Sequence, residues 1–280
     1  MKLNMKAAVL VGSAYLLFSF AFALYTLCLK GNRKNPEAEH FTTVRYAHRG
    51  LHRKPKTPEN SLSAFSLAVE RGYGIELDVH LMADGELAVI HDASLKRTAG
   101  AEARIGDLTR GELKKYKLEE SDEHIPTLKE ALALVDGRVP ILIELKSEGN
   151  VKALCRAAIE ELKNYKGKYC IESFDPRCVA FFRKHAPSVV RGQLAANLLR
   201  DKDLKLSRLL KFFLSSLVLN FWTKPDFIAY NFEQRNDISN QIAVRLWKIE
   251  GFVWTVRSIS DMRQAENEGY TVIFENFDEN

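Results

Sequence analysis

Short apolar, β-branched runs recur along this chain with helix-length segments between them, and that alternation limits the available folds more than any other feature. The runs are VRYA (44–47), IELDV (75–79), LAVI (87–90), ILIEL (141–145), YCIE (169–172), VVRGQL (189–194), FIAY (227–230), FVWTV (252–256) and TVIF (271–274). Strands separated by amphipathic helices imply a parallel sheet. About eight such units in roughly 240 residues fit an α/β fold of the TIM type, a closed (β/α)8 barrel, better than an open doubly wound sheet. Nine runs compete for eight places. IELDV and LAVI are joined too tightly for a crossover helix, so the alternation breaks around Ala83–Glu86 and the barrel is expected to be somewhat irregular.

Ahead of this pattern, Ala7 to Leu29 carries no charge. At about 1.5 Å per residue it reaches across a hydrocarbon core of about 30 Å, so one N-terminal transmembrane helix is expected. A cleaved signal peptide is the rival reading, with Ala21 and Ala23 forming an A-x-A, but the apolar run continues past them. The expected organisation is an anchor at 1–30, a polar tether at 31–42 and a barrel domain at 43–280. Lys2 and Lys6 on one flank face Lys30, Arg33 and Lys34 on the other, which leaves the sidedness open. Cys155, Cys170 and Cys178 in the body are odd in number and without metal-like spacing, so they read as reduced core residues and lean toward a cytoplasmic body on a single-pass cell-membrane protein. The formal charge of +5 comes without a basic stripe interleaved with aromatics, which sets nucleic acid aside as a partner.

In a barrel of this kind the reactive groups sit at the C-terminal ends of strands. VRYA is followed by His48 and Arg49. IELDV carries Glu76 and Asp78, which at a spacing of two point the same way. LAVI is followed by His91 and Asp92, and ILIEL leads through Glu144 to Lys146. Ionisable groups inside apolar strands are costly unless paired or metal-bound. Glu76, Asp78 and Glu144 are therefore expected to hold a hard divalent cation, with Arg49 and Lys146 offsetting charge on a phosphoryl group and His48 and His91 left for proton transfer. Taken singly, each residue also has a bland reading as a cap or a solvated face; the joint pattern points to phosphodiester chemistry.

The block AHRGLHRKPKTPENSLSAFSLAVERGYGIELDVHLMADGELAVIHDASLKRTAG (47–100) resembles the signature of glycerophosphodiester phosphodiesterases, within the phospholipase C-like phosphodiesterase superfamily. The motifs are H-R-G, P-E-N-S with A-F, E-x-D-V, D-G and H-D. The likeness continues through IPTLKEAL (125–132), IELK (143–146), ESF (172–174) and WTV (254–256). It implies a TIM-type barrel, calcium or magnesium on Glu76, Asp78 and Glu144, an acid/base pair of His48 and His91, and Arg49 and Lys146 on the phosphate. It also implies a supporting role for Glu59 and a substrate-side place for Trp254, although a helix cap by Asn60 explains the P-E-N motif equally well. The implied reaction releases glycerol 3-phosphate and an alcohol from a glycerophosphodiester or a lysophospholipid; a phospholipase C-like activity and a catalytically silent headgroup binder are the alternatives. Arg257 and the terminal IFENF (273–277) depart from the family pattern, where Asn and G-I-x-T-[DN] are usual.

Residues 204–222, LKLSRLLKFFLSSLVLNFW, combine dense Leu and Phe with Lys205, Arg208 and Lys211. Two readings compete: an interfacial helix that touches the membrane near the barrel mouth, or an outer-ring helix packed on the sheet or against a second copy.

Overall fold

The computed structural model describes residues 5–32, 35–53, 56–202 and 205–277. The elements in chain order are α1 (Met5–Cys28), β1 (Tyr46–Ala47), α2 (Leu62–Glu70), β2 (Gly74–Leu81), β3 (Leu87–Val89), α3 (Lys96–Ala99), α4 (Leu128–Val135), β4 (Ile141–Leu145), α5 (Val151–Leu162) and β5 (Tyr169–Ser173). They continue with α6 (Pro176–His185), β6 (Arg191–Ala195), α7 (Arg208–Ser215), α8 (Asn220–Thr223), β7 (Phe227–Asn231), α9 (Ile238–Gln241), β8 (Glu250–Val256), α10 (Ile259–Asn267) and β9 (Thr271–Phe274). All nine apolar runs form strands. Eight of them, all but β3, run parallel, and β1 pairs with both β9 and β2, which closes a TIM-type barrel.

β3 is the ninth run. It folds back antiparallel on the upper end of β2, with Val79 opposite Val89 and Leu81 opposite Leu87. The turn between them uses Gly85 at φ +87°, a conformation that side-chain-bearing residues rarely adopt. One face of the hairpin covers a small core of its own, in which Met82, Ile90, Leu95, Ile105, Leu113 and Ile125 are buried, while Leu87 and Val89 join the main core.

The helices begin where capping side chains can satisfy free backbone N–H groups. Ser61 accepts from Ala64 N at the start of α2, Thr127 and Glu130 form a reciprocal capping box on α4, and Ser258 caps α10. Along β2 and β4 the apolar Ile75, Leu77, Ile141 and Ile143 pack outward against helices, while the residues between them face inward.

Residues 31–42 depart from the expected tether. Pro36–Phe41 forms a 3₁₀ turn, with Asn35 accepting from Glu37 N, and buries Ala38 and Phe41 against Leu142, Cys170, Phe227 and Phe252. A polar, Pro-containing segment thus becomes the barrel floor because its two apolar side chains match the open lower end. Arg33 and Lys34, part of the flanking charge, lie outside the described residues, as does Lys2.

Residues 7–28 form the one described helix long and apolar enough to cross a membrane, with mean hydropathy 2.1 and none of it buried. Only its end meets the barrel: Leu29 is buried, its carbonyl accepts from Asn220 Nδ2 at 3.1 Å, and Thr26 O accepts from Trp247 Nε1 at 2.6 Å. The expectation of one continuous helix over 204–222 is corrected. Leu217 at φ +57° breaks the stretch into α7 and α8 and turns its side chain into the core; Leu204 lies outside the described residues. The four cysteines are free, and the three in the body are buried.

Candidate active site

The mouth of the barrel holds a cavity of about 450 Å³ whose walls carry both histidines, Arg49, Lys146, Glu76 and Glu144, with Asp78 buried behind them. The H-R-G segment enters it through two consecutive left-handed residues, Arg49 at φ +57° and Gly50 at φ +78°. A Cβ on Gly50 would stand 2.9 Å from the backbone carbon of Ala64, so no other residue fits. The turn aims the Arg49 backbone N–H at Glu76 Oε2, 2.9 Å away, and sends the guanidinium to Glu59 Oε1 at 2.8 Å.

Glu76, Asp78 and Glu144 lie on inward positions of β2 and β4, are all buried, and bring oxygen atoms within 4.8 Å of one another, a group that could hold a metal ion. Register explains the convergence: Asp78 sits directly opposite Glu144, and Glu144 opposite Glu172. Lys146 Nζ lies 2.9 Å from Asp78 Oδ1 and 2.7 Å from Glu144 Oε2. Burial, reinforced by neighbouring carboxylates, pushes Glu76 and Glu172 well above the ordinary range. Burial likewise lifts Glu144 to about 7 against the pull of Lys146. Asp78 goes the other way: burial would raise it, but Lys146, His91 and Arg49 together hold it well below. Glu172 Oε2 is buried without a hydrogen-bond partner. A hard cation with oxygen ligands fits this all-carboxylate set and offsets the burial and the added repulsion that raise Glu76, Glu144 and Glu172.

Each histidine is held by a carboxylate. His48 Nδ1 donates to Glu275 Oε2 at 2.7 Å, and His91 Nδ1 donates to Asp92 Oδ1 at 2.6 Å. In both rings Nε2 remains outside that bond; in His48 it lies 3.9 Å from Glu76 Oε2. Burial lowers both imidazoles from their ordinary value, partly opposed at His48 by Glu275 and at His91 by Asp78. Burial alone would raise Glu275, yet its bonds to His48 and Arg257 hold it at about 2.

The P-E-N motif serves the mouth more than the helix behind it. Glu59 is buried and bridges Arg49 to Arg97, whose Nε continues to Asp92, so one chain of ion pairs links the ends of β1 and β3. The cap of α2 is Ser61, not Asn60; Asn60 adopts φ +56° and donates its side-chain amide to Asp78 Oδ2 at 2.8 Å. Trp254 faces the cavity, donates Nε1 to Ala229 O at 3.2 Å and stands edge-on to Phe174 at 5.6 Å.

Glu275, Asp92 and Glu172 have no role in the sequence reading, which offers Asn60 only that of a helix cap. Glu172 carries the same signal as Glu144, a carboxylate at an inward position of an apolar strand. Glu275 and Arg257, both within or beside the segments that depart from the family pattern, pair with each other at 2.6 Å.

Comparison with known proteins decides the family, because the model of the glycerophosphoryl diester phosphodiesterase family matches residues 48–279. The chain belongs to that family. Membership makes it a phosphoric diester hydrolase. A glycerophosphodiester phosphodiesterase of Bacillus altitudinis is 32% identical over 173 residues, 58% of this chain and 70% of the relative. A lysophospholipase D of Rattus norvegicus is 33% identical over 168 residues, 55% of this chain but only 51% of its own length. The solved structure of an Oleispira antarctica phosphodiesterase in complex with the product sn-glycerol-3-phosphate superposes with a TM-score of 0.70 at 22% identity, covering 85% of this chain and 94% of that one. That likeness shows the same barrel fold.

Proposed function

We propose that this family member hydrolyses glycerophosphodiesters to glycerol 3-phosphate and an alcohol, with His48 and His91 as the acid/base pair. The observation that carries the reading is the pair of imidazoles in one cavity, each held through Nδ1 by its own carboxylate beside a buried carboxylate cluster. A carboxylate on Nδ1 fixes the tautomer and leaves Nε2 to exchange protons. One imidazole removes the proton from the oxygen attacking phosphorus, and the other protonates the alcohol as its P–O bond breaks. If a glycerol hydroxyl attacks first, a cyclic phosphate forms and water reopens it with the histidines in reversed roles.

Glu76, Asp78 and Glu144 would hold a calcium or magnesium ion, which when bound polarises a phosphoryl oxygen. Arg49 and Lys146 supply positive charge for the phosphate, with Glu59 orienting Arg49 and Trp254 forming part of the substrate wall. The apolar helix α1 anchors the chain in the cell membrane, and the reduced, buried body cysteines favour a cytoplasmic barrel.

The test is release of glycerol 3-phosphate from glycerophosphocholine by the full chain with calcium, magnesium or EDTA, beside His48→Ala and His91→Ala. Metal-dependent release lost in both variants is expected; no release with either ion would sink the proposal. A second reading, lysophospholipase D-type hydrolysis of membrane lysophospholipid, draws support from the rat relative's name and from the anchor beside the barrel. Turnover of lysophosphatidylcholine in place of glycerophosphocholine would favour it.

A further inference from the structure

Helix α7 is built inside out. It buries Lys211 and Ser215, one turn apart, and leaves Leu209, Leu210, Phe212 and Phe213 between 40 and 68% exposed. Its polar face is occupied: Lys211 Nζ bonds Asp201 O, and Ser215 Oγ accepts from Leu198 N at 2.8 Å. A helix on a water-facing surface has the opposite arrangement. The inversion extends beyond one helix, because eleven large apolar side chains outside α1 are exposed among the described residues and ten of them lie between Leu199 and Leu246.

This is the wall on which α1 ends. Asn32 N donates to Pro225 O at 2.7 Å, just before β7 begins at the lower face of the barrel. Tyr25, seven residues earlier, donates to Ser216 O at 3.4 Å, and the neighbouring Ser215 O accepts from Ser239 in the first turn of α9, above the end of β7. The contacts at the end of α1 thus run from the lower face at Asn32 up to the Tyr25 hydroxyl beside α7, and none of the apolar helix before it is buried. Residues 199–224 also carry six Lys or Arg against two Asp. Exposed apolar side chains interspersed along the chain with basic ones, the buried Lys211 apart, beside a membrane-length helix, match the headgroup–acyl boundary of an anionic bilayer.

We propose that the surface of α7 and its flanking loops lies in the bilayer interface beside α1, so that the barrel mouth faces the lipid. This rests on α1 being a membrane anchor, and the test separates the two. The full chain, with Cys28→Ser and its buried cysteines retained, is placed in vesicles of phosphatidylcholine and phosphatidylglycerol. An environment-sensitive fluorophore is attached in turn at Leu209→Cys, Phe213→Cys, Leu16→Cys within α1 and Lys163→Cys at the far end of α5, and acyl-chain-brominated lipid serves as quencher. The expected result is blue-shifted emission at 209 and 213 with at least half the quenching seen at 16, and none at 163.

Labels at 209 and 213 that behave like 163 while 16 is quenched would overturn the proposal and leave the anchor standing. An unquenched label at 16 would overturn both. Blue-shifted but unquenched labels at 209 and 213, with cross-links between copies, would assign the face to a second copy of the chain and overturn it too. A Leu209→Glu/Phe213→Glu variant gives an independent arm: hydrolysis of soluble glycerophosphocholine unchanged and that of bilayer-resident lysophosphatidylcholine reduced about tenfold. Equal loss on both substrates counts against the interface, whereas absence of turnover in the unaltered chain counts against the proposed reaction and leaves the label depths to decide this one.

Discussion

Glu275→Gln is the substitution that tests the site most directly, because it keeps the shape of the side chain and removes only its charge. In the folded chain Glu275 joins His48 Nδ1 at 2.7 Å with both side chains 13% exposed, so solvent screens the bond little. A hydrogen bond of this charge-assisted kind is worth about 1.5–3 kcal/mol. If all of it acts on the orientation and charging of His48 in the transition state, kcat falls by roughly 10- to 150-fold, since each 1.4 kcal/mol is about tenfold. The pH profile carries a second, independent sign. Glu275 raises the His48 pKa against the stronger depression from burial, so its neutralisation lets that pKa fall further. The limb of the kcat profile governed by His48 should therefore move to lower pH, measured as glycerol 3-phosphate release between about pH 4 and 9. Arg257→Ala, which removes only the exposed partner of Glu275, should change kcat less than about threefold, as surface ion pairs contribute little. A Glu275→Gln enzyme with kcat within threefold and an unmoved limb would refute the assignment of Glu275 as the group that positions His48.

Saturating calcium or magnesium at about 100-fold over Kd should stabilise the chain by about 2.7 kcal/mol, a Tm rise of about 5 °C, and Asp78→Asn should abolish it in thermal melts. No metal-dependent rise in the unaltered chain would remove the ion from the scheme. Gly50→Ala should cost about 2–4 kcal/mol in denaturant unfolding, because the added methyl meets Ala64 and Phe65 at 2.9 Å on a left-handed backbone; a cost under 1 kcal/mol would mean that the turn relaxes freely. Glu275 is depressed from 4.5 to about 2 on folding, so its contribution to stability is complete above its unfolded pKa and lost as pH falls from about 5 toward 2. The acid-unfolding curve of Glu275→Gln should lack that part of the slope, and identical curves would contradict the ion pair.

The strands were legible because each is apolar, short and bounded by polar turns, and the break near Ala83–Glu86 was legible because seven residues between Val79 and Leu87 cannot hold a crossover helix. Glu76, Asp78 and Glu144 stood out as carboxylates at alternate positions in such strands. The cap by Asn60 stood as an equal alternative because N-cap preference cannot distinguish neighbouring Asn and Ser; the positive φ at Asn60 decides against it, and sequence does not display it. The floor turn at Pro36–Phe41 looked like linker because two apolar residues among polar ones give no periodicity. Glu275 was hidden for a different reason: its partner is 227 positions away, and only the closure of β9 onto β1 brings them together. The broken helix at Leu217 follows from tertiary packing, which turns that leucine inward against the helical preference of its neighbours.

The hairpin of β2 and β3 makes the two histidines unequal in mechanical support. His48 follows a strand sealed into the barrel on both edges, whereas His91 follows one whose only strand partner among the described residues is β2, with a bridge from Ala88 to Thr127 and Leu87 and Val89 packed into the main core. Elements with less buried surface open at lower free energy than the global transition. If the hairpin, with one strand edge unpaired by the barrel, opens before the eight-stranded wall, the His91 half of the proposed acid/base pair is lost first and turnover in rising denaturant should fade before barrel circular dichroism does. The same arrangement lets the distance between the two proposed proton-transfer groups be retuned through the small core under residues 82–125, because β3 is a strand of the sheet that the barrel closes without.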